Sequence, residues 1–497
     1  MNSSMKQAKA DELRERYPQF IYESFAHEAI GGDLAIRFHF SIGPDIRFDP
    51  EIRIKSIAQS RIDSIDPNVI DGLVFHLGLI EMLSYWKTTC SPEILVKPGA
   101  LNTEQIAWWK DLLLRGMGEF FYVNEIDFRQ ADFVNIRVAS IASEGRPYDR
   151  AMTDRTLVMA SGGKDSALTL QLIQEAGVEF NCLMLNPLPP AAALVAEAGC
   201  QSPVIVKRTI DPRLLELNKA GFLNGHTPFS ALLSFLGVTC AVLLDYRGVI
   251  VSNERSSNEA NVEFLGTEVN HQYSKTFEFE QRFRGYARNY LATGIDYFSL
   301  LRPLYEIQII RLIAGYPELL QIFRSCNRNQ LEGTWCGRCP KCISVFTLFY
   351  PFLSDSELIR TFGEDFFERE DAIPVLRQLA GIAGHKPFEC VGTHEETIAA
   401  LHLGLRRVRI TEEGDSPQRR KERKGGAEGE LPAALRFAEE KILPAYPQAG
   451  EMAKNVLSAW SIAHNLPAEF EDLLRRRLIA ADSAILPIPK VDLDVET

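Results

Sequence analysis

Ser161-Gly162-Gly163-Lys164-Asp165-Ser166 is the stretch of this chain best equipped for chemistry. It follows the apolar run Leu157-Val158-Met159-Ala160 and precedes Ala167-Leu168-Thr169-Leu170-Gln171-Leu172-Ile173, so it reads as strand, glycine turn, helix. Two glycines let the backbone approach an anion with no Cβ in the way. The amides opening the next helix point at that anion, and the helix dipole favours negative charge there. Ser161 and Ser166 offer hydroxyl donors, Lys164 a cation, and Asp165 a carboxylate for Mg²⁺ between phosphate oxygens. The spacing is neither G-x-x-x-x-G-K-[ST] nor G-x-G-x-x-G. A phosphate chain is the expected occupant.

Cys326, Cys336, Cys339 and Cys342 form C-x9-C-x2-C-x2-C. Thiols at this pitch suit tetrahedral Zn²⁺, and a site closed by four protein ligands is structural. Gly337 permits the tight knuckle, while Arg338 and Lys341 offset thiolate charge. Such a zinc contributes on the order of 10 kcal/mol to folding. An iron–sulfur cluster is the alternative. The other cysteines (Cys90, Cys182, Cys200, Cys240, Cys390) are scattered and mostly read as small buried hydrophobes. In a reducing compartment they are expected as thiols, not disulfides.

Further groups able to move a proton sit in two polar stretches. Ser252-Asn253-Glu254-Arg255-Ser256-Ser257-Asn258-Glu259-Ala260-Asn261 directly follows a strand-like run, where a loop at a sheet edge can hold substrate. TEVNHQYSK, from Thr267, adds His271, Tyr273 and Lys275. His226 has similar standing. Each is also an ordinary residue of a solvated loop or a core.

Several elements must position these groups. Gln19 to Ile54 alternates, with Gly31-Gly32 as a hairpin turn. Asp71 to Trp86 and Thr103 to Leu114 have helical period, so residues 1–150 read as an α+β domain. Trp86, Trp108 and Trp109 are expected in its core. From about Arg155 the pattern becomes βα repeats, with strands at Thr156–Ala160, Phe180–Leu185, Pro203–Val206 and Val249–Ser252. That is an α/β fold with a doubly wound parallel sheet, whose ligands lie beyond the strands' carboxyl ends. The βα domain with the four cysteines spans 151–350. Residues 351–406 read as helical, 407–431 as a flexible charged linker, and 432–497 as a helical C-terminal extension.

The 497 residues exceed one core, and their 46% hydrophobic and 24% charged composition is that of a globular protein. A formal charge of −12 argues against a nucleic-acid partner. The start lacks the apolar core of an export signal, and no run reaches the length of a membrane span; Phe229 to Leu244, the longest apolar stretch, reads as a buried helix. A cytoplasmic location without a membrane partner is expected. Nothing in the composition sets an oligomeric state.

The string S-G-G-x-D-S resembles the pyrophosphate loop of the PP-loop ATP pyrophosphatase superfamily, with its adenine nucleotide alpha hydrolase-like sheet. The resemblance implies ATP and Mg²⁺, cleavage between the α- and β-phosphates, and AMP left on an activated oxygen. Loop and cysteines together resemble 7-cyano-7-deazaguanine synthase over roughly Thr156 to Ile343, but that enzyme lacks the first 150 residues and the C-terminal extension. The strings Ser252 to Glu259, His271-Gln272-Tyr273-Ser274-Lys275 and Phe388-Glu389-Cys390-Val391-Gly392-Thr393 resemble the UDP-N-acetylmuramoyl-L-alanyl-L-glutamate epimerase family (MurL). That likeness implies a sugar-nucleotide peptide as substrate. It implies ATP-dependent inversion of its terminal L-glutamate, in cell-wall precursor synthesis. Cys390, His271, Tyr273, Lys275 and Glu254 are then the candidate acids and bases. The alternatives are a PP-loop enzyme of nucleoside chemistry, tRNA-modifying enzymes included, and a non-catalytic ATP-binding module.

Overall fold

Alternating residues from Gln19 make the first two strands, β1 (Gln19–Ile30) and β2 (Asp33–Ile42). They pair antiparallel from Phe20 with Ile42 to Ile30 with Asp33. The turn between them needs positive φ at Gly31 and Gly32 (60° and 83°), which glycine adopts without a Cβ clash. The strands that follow are β3 (Ile46–Phe48), β4 (Glu51–Ile54), β5 (Glu93–Ala100) and β6 (Asn135–Ser140). The βα part supplies β7 (Thr156–Met159), β8 (Phe180–Leu185), β9 (Val204–Thr209) and β10 (Gly248–Val251). A small hairpin, β11 (Val262–Phe264) with β12 (Thr267–Val269), precedes β13 (Asp296–Ser299). The computed structural model describes residues 3–140, 147–414 and 431–484.

Strand order in the main sheet is β13-β10-β7-β8-β9-β4-β2-β1-β5-β6, with β3 on β2. From β13 to β9 every pair is parallel. The chain leaves β7 toward β8 and β9 on one side, then returns to β10 and β13 on the other. The crevice beyond the carboxyl ends of β7 and β10 is therefore the point where strand order reverses, the usual ligand position in open α/β sheets. β9 then pairs antiparallel with β4, Glu51 opposite Thr209 to Ile54 opposite Val206. The strands of residues 1–150 thus continue the same sheet, and the whole is a mixed α/β fold with a mostly parallel sheet.

Successive side chains of a strand point to opposite faces. Leu157 and Met159 enter one apolar core and Val158 the other; Val249 and Val251 likewise oppose Ile250. The first core also holds Trp86 and Trp109, both buried, with Trp108 packed against it. The second takes helices Lys164–Ala176, Glu306–Ile313 and Pro340–Phe349 and the helical C-terminal region.

Differences from expectation have local causes. β9 extends to Thr209 because its outer half is completed by β4, and β13 (Asp296–Ser299) went unread because only Tyr297 and Phe298 are apolar, between a polar residue at each end. Helix His394–Gly414 runs into the stretch read as linker; residues 415–430 of that stretch lie outside the described ones. The helical stretch Pro67–Trp86 is, by length and composition, apolar enough to cross a membrane, contrary to the expectation that no run was. Of its most apolar 18 residues 78% are buried, and it packs as a core element against β1. Cys182 and Cys200, expected as thiols, are paired as a disulfide with Cα atoms 6.5 Å apart. Cys200 precedes β9, and β9 lies beside β8, which carries Cys182.

Candidate active site at the switch point

The loop after β7 is held in shape by hydrogen bonds within itself and to residues 324–325. The Ser161 amide donates to Ser166 Oγ at 2.9 Å, and the two serine hydroxyls are 2.9 Å apart. The Arg324 amide donates to the Gly162 carbonyl at 2.7 Å, and the Lys164 amide to Ser325 Oγ at 3.2 Å. A Cβ at Gly162 would lie 2.8 Å from Pro190 Cβ, so only glycine lets the loop pass there. Helix Lys164–Ala176 begins at Gly163 with no side-chain cap. Its remaining first-turn amides are the donors a phosphate or a helix-bound carboxylate uses.

Lys164 does not project into that loop. Its side chain is 1% exposed, and Nζ sits 2.9 Å from Glu306 Oε1 and against the Asp165 carboxylate. Burial opposes the charge on Lys164, but Asp165, Glu306 and Glu254 hold it protonated above the ordinary lysine range. Glu306 opens helix Glu306–Ile313, its amide donating to Ser256 Oγ at 2.9 Å. Burial would raise its carboxyl, but Lys164 and Lys341 hold it down to about 2. Glu254, in the loop after β10, is 3% exposed and its Oε2 has no hydrogen-bond partner. Burial, with the Asp165 charge, outweighs Lys275 and Lys164 and raises it to about 7.

Arg302 explains how the loops after β10 and β12 come together. It is 1% exposed, and donates to the Glu254 carbonyl at 2.8 Å and the Lys275 carbonyl at 2.6 Å. Glu280 neutralises it at 3.1 Å. Ser257 Oγ repeats the tie, 2.6 Å from the Glu254 carbonyl and 3.0 Å from the Lys275 carbonyl, either of which its one proton can reach.

Lys275, so placed, points Nζ at Cys390 Sγ, 3.1 Å away. Cys390 lies in the loop before helix His394–Gly414 and is half-buried. His271 bonds Glu119, which lies on helix Gly118–Asn124, and its ring is near enough to the Cys390 thiol for each to act on the other's charge. Burial would push the Cys390 thiol up, but Lys275, the His271 hydrogen bond and Lys341 hold it down to about 5. Burial would likewise lower His271, yet Cys390 and Glu119 hold it up at about 9. The pair is thus a thiolate beside an imidazolium. Glu389, the adjacent acid, turns away: its Oε2 accepts from the Lys341 amide at 2.8 Å and from Asn327 at 3.1 Å.

Of the residues singled out in the sequence, Lys164, Asp165, Glu254, Lys275, His271 and Cys390 share one charge network. Tyr273 does not join it; its hydroxyl donates to Asp111 at 3.2 Å, and Arg115 lies over its ring. His226 does, 3.7 Å from Glu119, held neutral by burial and by the neighbouring cations, its pKa about 3. Glu119, Glu306, Lys341 and Arg302 were missed as site residues. Of these, only Lys341 was singled out in the sequence, as a charge offsetting the cysteine thiolates.

Among the described residues, two groups approach closely enough to share a metal ion: the four cysteines, and Glu119 with His226 and His271. Amides of Asn329, Arg338, Cys339 and Cys342 donate to Cys326, Cys336, Cys336 and Cys339 sulfurs at 3.3 to 3.5 Å. Such donors stabilise thiolates, so the cysteines fit a closed structural site. At Glu119 the close hydrogen bond to His271 and the charges of Lys87 and Lys275 suit a proton, not a second dication. A cavity of about 660 Å³ lies elsewhere, lined by Asp66, Phe75, Gly99 and Tyr148 among others. It opens at the end of β5, which runs opposite to β7, and so lies away from this network.

Comparison with known proteins bears on the whole assembly. The family model of the MurL N-terminal domain matches residues 11–300, and that of the MurL C-terminal domain matches residues 322–414. A protein of Micromonospora sp. named UDP-N-acetyl-alpha-D-muramoyl-L-alanyl-L-glutamate epimerase is 34% identical over 400 residues, 79% of this chain and 88% of its own. Proteins of the same name from Salinispora tropica and Xanthomonas oryzae pv. oryzae are 33% and 34% identical, over 79% and 65% of this chain and 86% and 72% of theirs. No solved structure matches the chain.

Proposed function

This chain belongs to the MurL family, and from that premise we propose that it inverts the terminal L-glutamate of UDP-N-acetylmuramoyl-L-alanyl-L-glutamate to D-glutamate. The product would serve peptidoglycan precursor synthesis. ATP is the second substrate, with AMP and pyrophosphate released. The α-proton of a carboxylate is a very poor acid, because its removal builds a second negative charge beside the first. Joining that carboxylate to AMP cancels the charge and makes the carbonyl an electron sink. Inversion then needs no pyridoxal cofactor.

The residues divide the work. The Ser161–Ser166 loop, on the PP-loop reading, holds the β- and γ-phosphates with its helix amides and serine hydroxyls. Mg²⁺ on Asp165 would offset charge on the leaving pyrophosphate. Lys164, locked between Asp165 and Glu306, fixes the Asp165 carboxylate for that task. The groups that take a proton from Cα and return one to its other face are drawn from among Cys390, His271, Lys275 and Glu254. Each tenfold in rate requires about 1.4 kcal/mol of barrier reduction, and adenylation supplies the larger part.

The observation that carries this reading is the convergence of Cys390, Lys275 and Glu254 on the Asp165 side of the switch-point crevice. The test is incubation with ATP, Mg²⁺ and the muramoyl dipeptide in D₂O. Pyrophosphate release with deuterium at the glutamate Cα is the expected outcome. Pyrophosphate only with a deazapurine acid or RNA would place the enzyme in nucleoside chemistry. None with any substrate would leave an ATP-binding module.

A further inference from the structure

A thiolate, an imidazolium and a carboxylate in a row form more than a proton store. Lys275 Nζ stands 3.1 Å from Cys390 Sγ, and His271, whose charge acts on that sulfur, has its Nδ1 bonded to Glu119 Oε2. A nucleophile, a histidine and a carboxylate that orients it is the arrangement of covalent catalysis. Cys390 is half-buried, and Glu389 is turned off it. The neighbouring Lys341 holds the Cys390 carbonyl, fixing the backbone on which the thiol hangs.

The division between base and nucleophile follows from chemistry. A base works best with its pKa near the operating pH. A thiolate held near 5 is a weak base but a persistent nucleophile at neutral pH. Glu254, near 7 and with one oxygen unpartnered, is the better match for moving the α-proton.

Resting on the epimerase reading above, we propose that Cys390 takes the adenylated glutamyl group as a thioester, and that Cα is inverted while its carbonyl is bound to sulfur. The thiolate attacks the carbonyl carbon, a C–S bond forms, and the C–O bond to AMP breaks with its electron pair leaving on the phosphate oxygen. AMP therefore departs before inversion. A base then takes the α-proton, the thioester carbonyl carries the charge, and a proton returns to the opposite face. Water attacks the thioester, the C–S bond breaks, the sulfur leaves as thiolate, and the two water protons pass to solvent.

Isotope exchange separates this route from direct inversion of the adenylate. Adenylation alone lets labelled pyrophosphate enter ATP. Only release of AMP from a covalent acyl-enzyme lets labelled AMP enter ATP, in the presence of pyrophosphate and substrate. Full-length enzyme with the muramoyl dipeptide is expected to show both exchanges, and rapid acid quenching to show the Cys390 peptide heavier by one substrate less water. Cys390→Ala is expected to lose AMP exchange by at least 100-fold over background while pyrophosphate exchange, still measurable, reports a folded protein. Pyrophosphate exchange without AMP exchange in the wild type overturns the thioester and leaves the epimerase reading standing. AMP exchange that survives Cys390→Ala overturns Cys390 as the acceptor. Absence of pyrophosphate exchange refutes the adenylation reading, and the thioester with it.

Discussion

At the scale of single residues, the ionisation of Cys390 can be read without knowing the substrate. Its folded pKa, about 5, lies below the ordinary thiol value of about 8.5. The thiolate is therefore present above the folded value and lost only as pH falls through it. Iodoacetamide labelling of the Cys390 peptide, followed by mass spectrometry, is expected to persist to about pH 5 and to fall below it, whereas the unfolded chain requires pH near 8.5. Glu119→Gln removes the carboxylate that holds His271 protonated, so the labelling midpoint should rise by about 1 unit. An unchanged midpoint would separate Glu119 from the thiol. Residue types made Cys390, His271, Lys275 and Glu254 legible in the sequence. Glu119 was not, because it lies 152 positions from His271 and is brought there only by packing of helix Gly118–Asn124. Lys164 was legible as a cation but not in its direction, which Glu306 sets.

At the scale of elements, the loops hold their shape through one buried cation and one glycine. Arg302 and Glu280 are both 1% exposed, and Asn465 donates to the other Glu280 oxygen at 2.8 Å. Arg302→Leu strands a buried carboxylate and is expected to cost about 3–5 kcal/mol in urea unfolding. Arg302→Leu with Glu280→Leu should recover much of that stability, since the unpaired charge is gone. It should not recover turnover, because the loops carrying Glu254 and Lys275 stay untied. Gly162→Ala places a Cβ against Pro190 Cβ and, at 3.0 Å, the Ala191 amide nitrogen. Overpacking of this kind costs about 1–3 kcal/mol. Substrate-dependent pyrophosphate release should fall further than stability does if, as proposed, the displaced backbone is the loop that holds the phosphates. The strand–turn–helix around Ser161 was legible from apolar runs and glycines, and so was helix Phe229–Leu244. The ends of β9 and the existence of β13 were not, because β9 is completed by a distant strand and β13 carries only two apolar residues between Asp296 and Ser299.

At the scale of the whole molecule, continuity of the sheet was invisible, since local periodicity says nothing about which strand pairs with β9. Antiparallel pairing of β4 with β9 joins residues 51–54 to residues 206–209. Residues 151–497 expressed alone would expose β9 as an unpaired edge, so that fragment is expected to aggregate. The four-cysteine group ties a second remote segment to the site. Cys339 and Cys342 flank Lys341, whose amide binds Glu389 and whose ammonium reaches the Cys390 carbonyl and, at 3.4 Å, Glu306. If these thiols hold zinc, its loss frees the turn that fixes Lys341, and with it the backbone of Cys390. Elemental analysis is expected to find about one zinc and no iron or sulfide per chain. Chelation should lower the melting temperature, and should raise the labelling midpoint of Cys390 as Lys341 moves off. Lysine removed from beside a thiolate can only raise the thiol's pKa. A chelated protein whose Cys390 still labels down to about pH 5 would show that the knuckle and the thiol are mechanically independent.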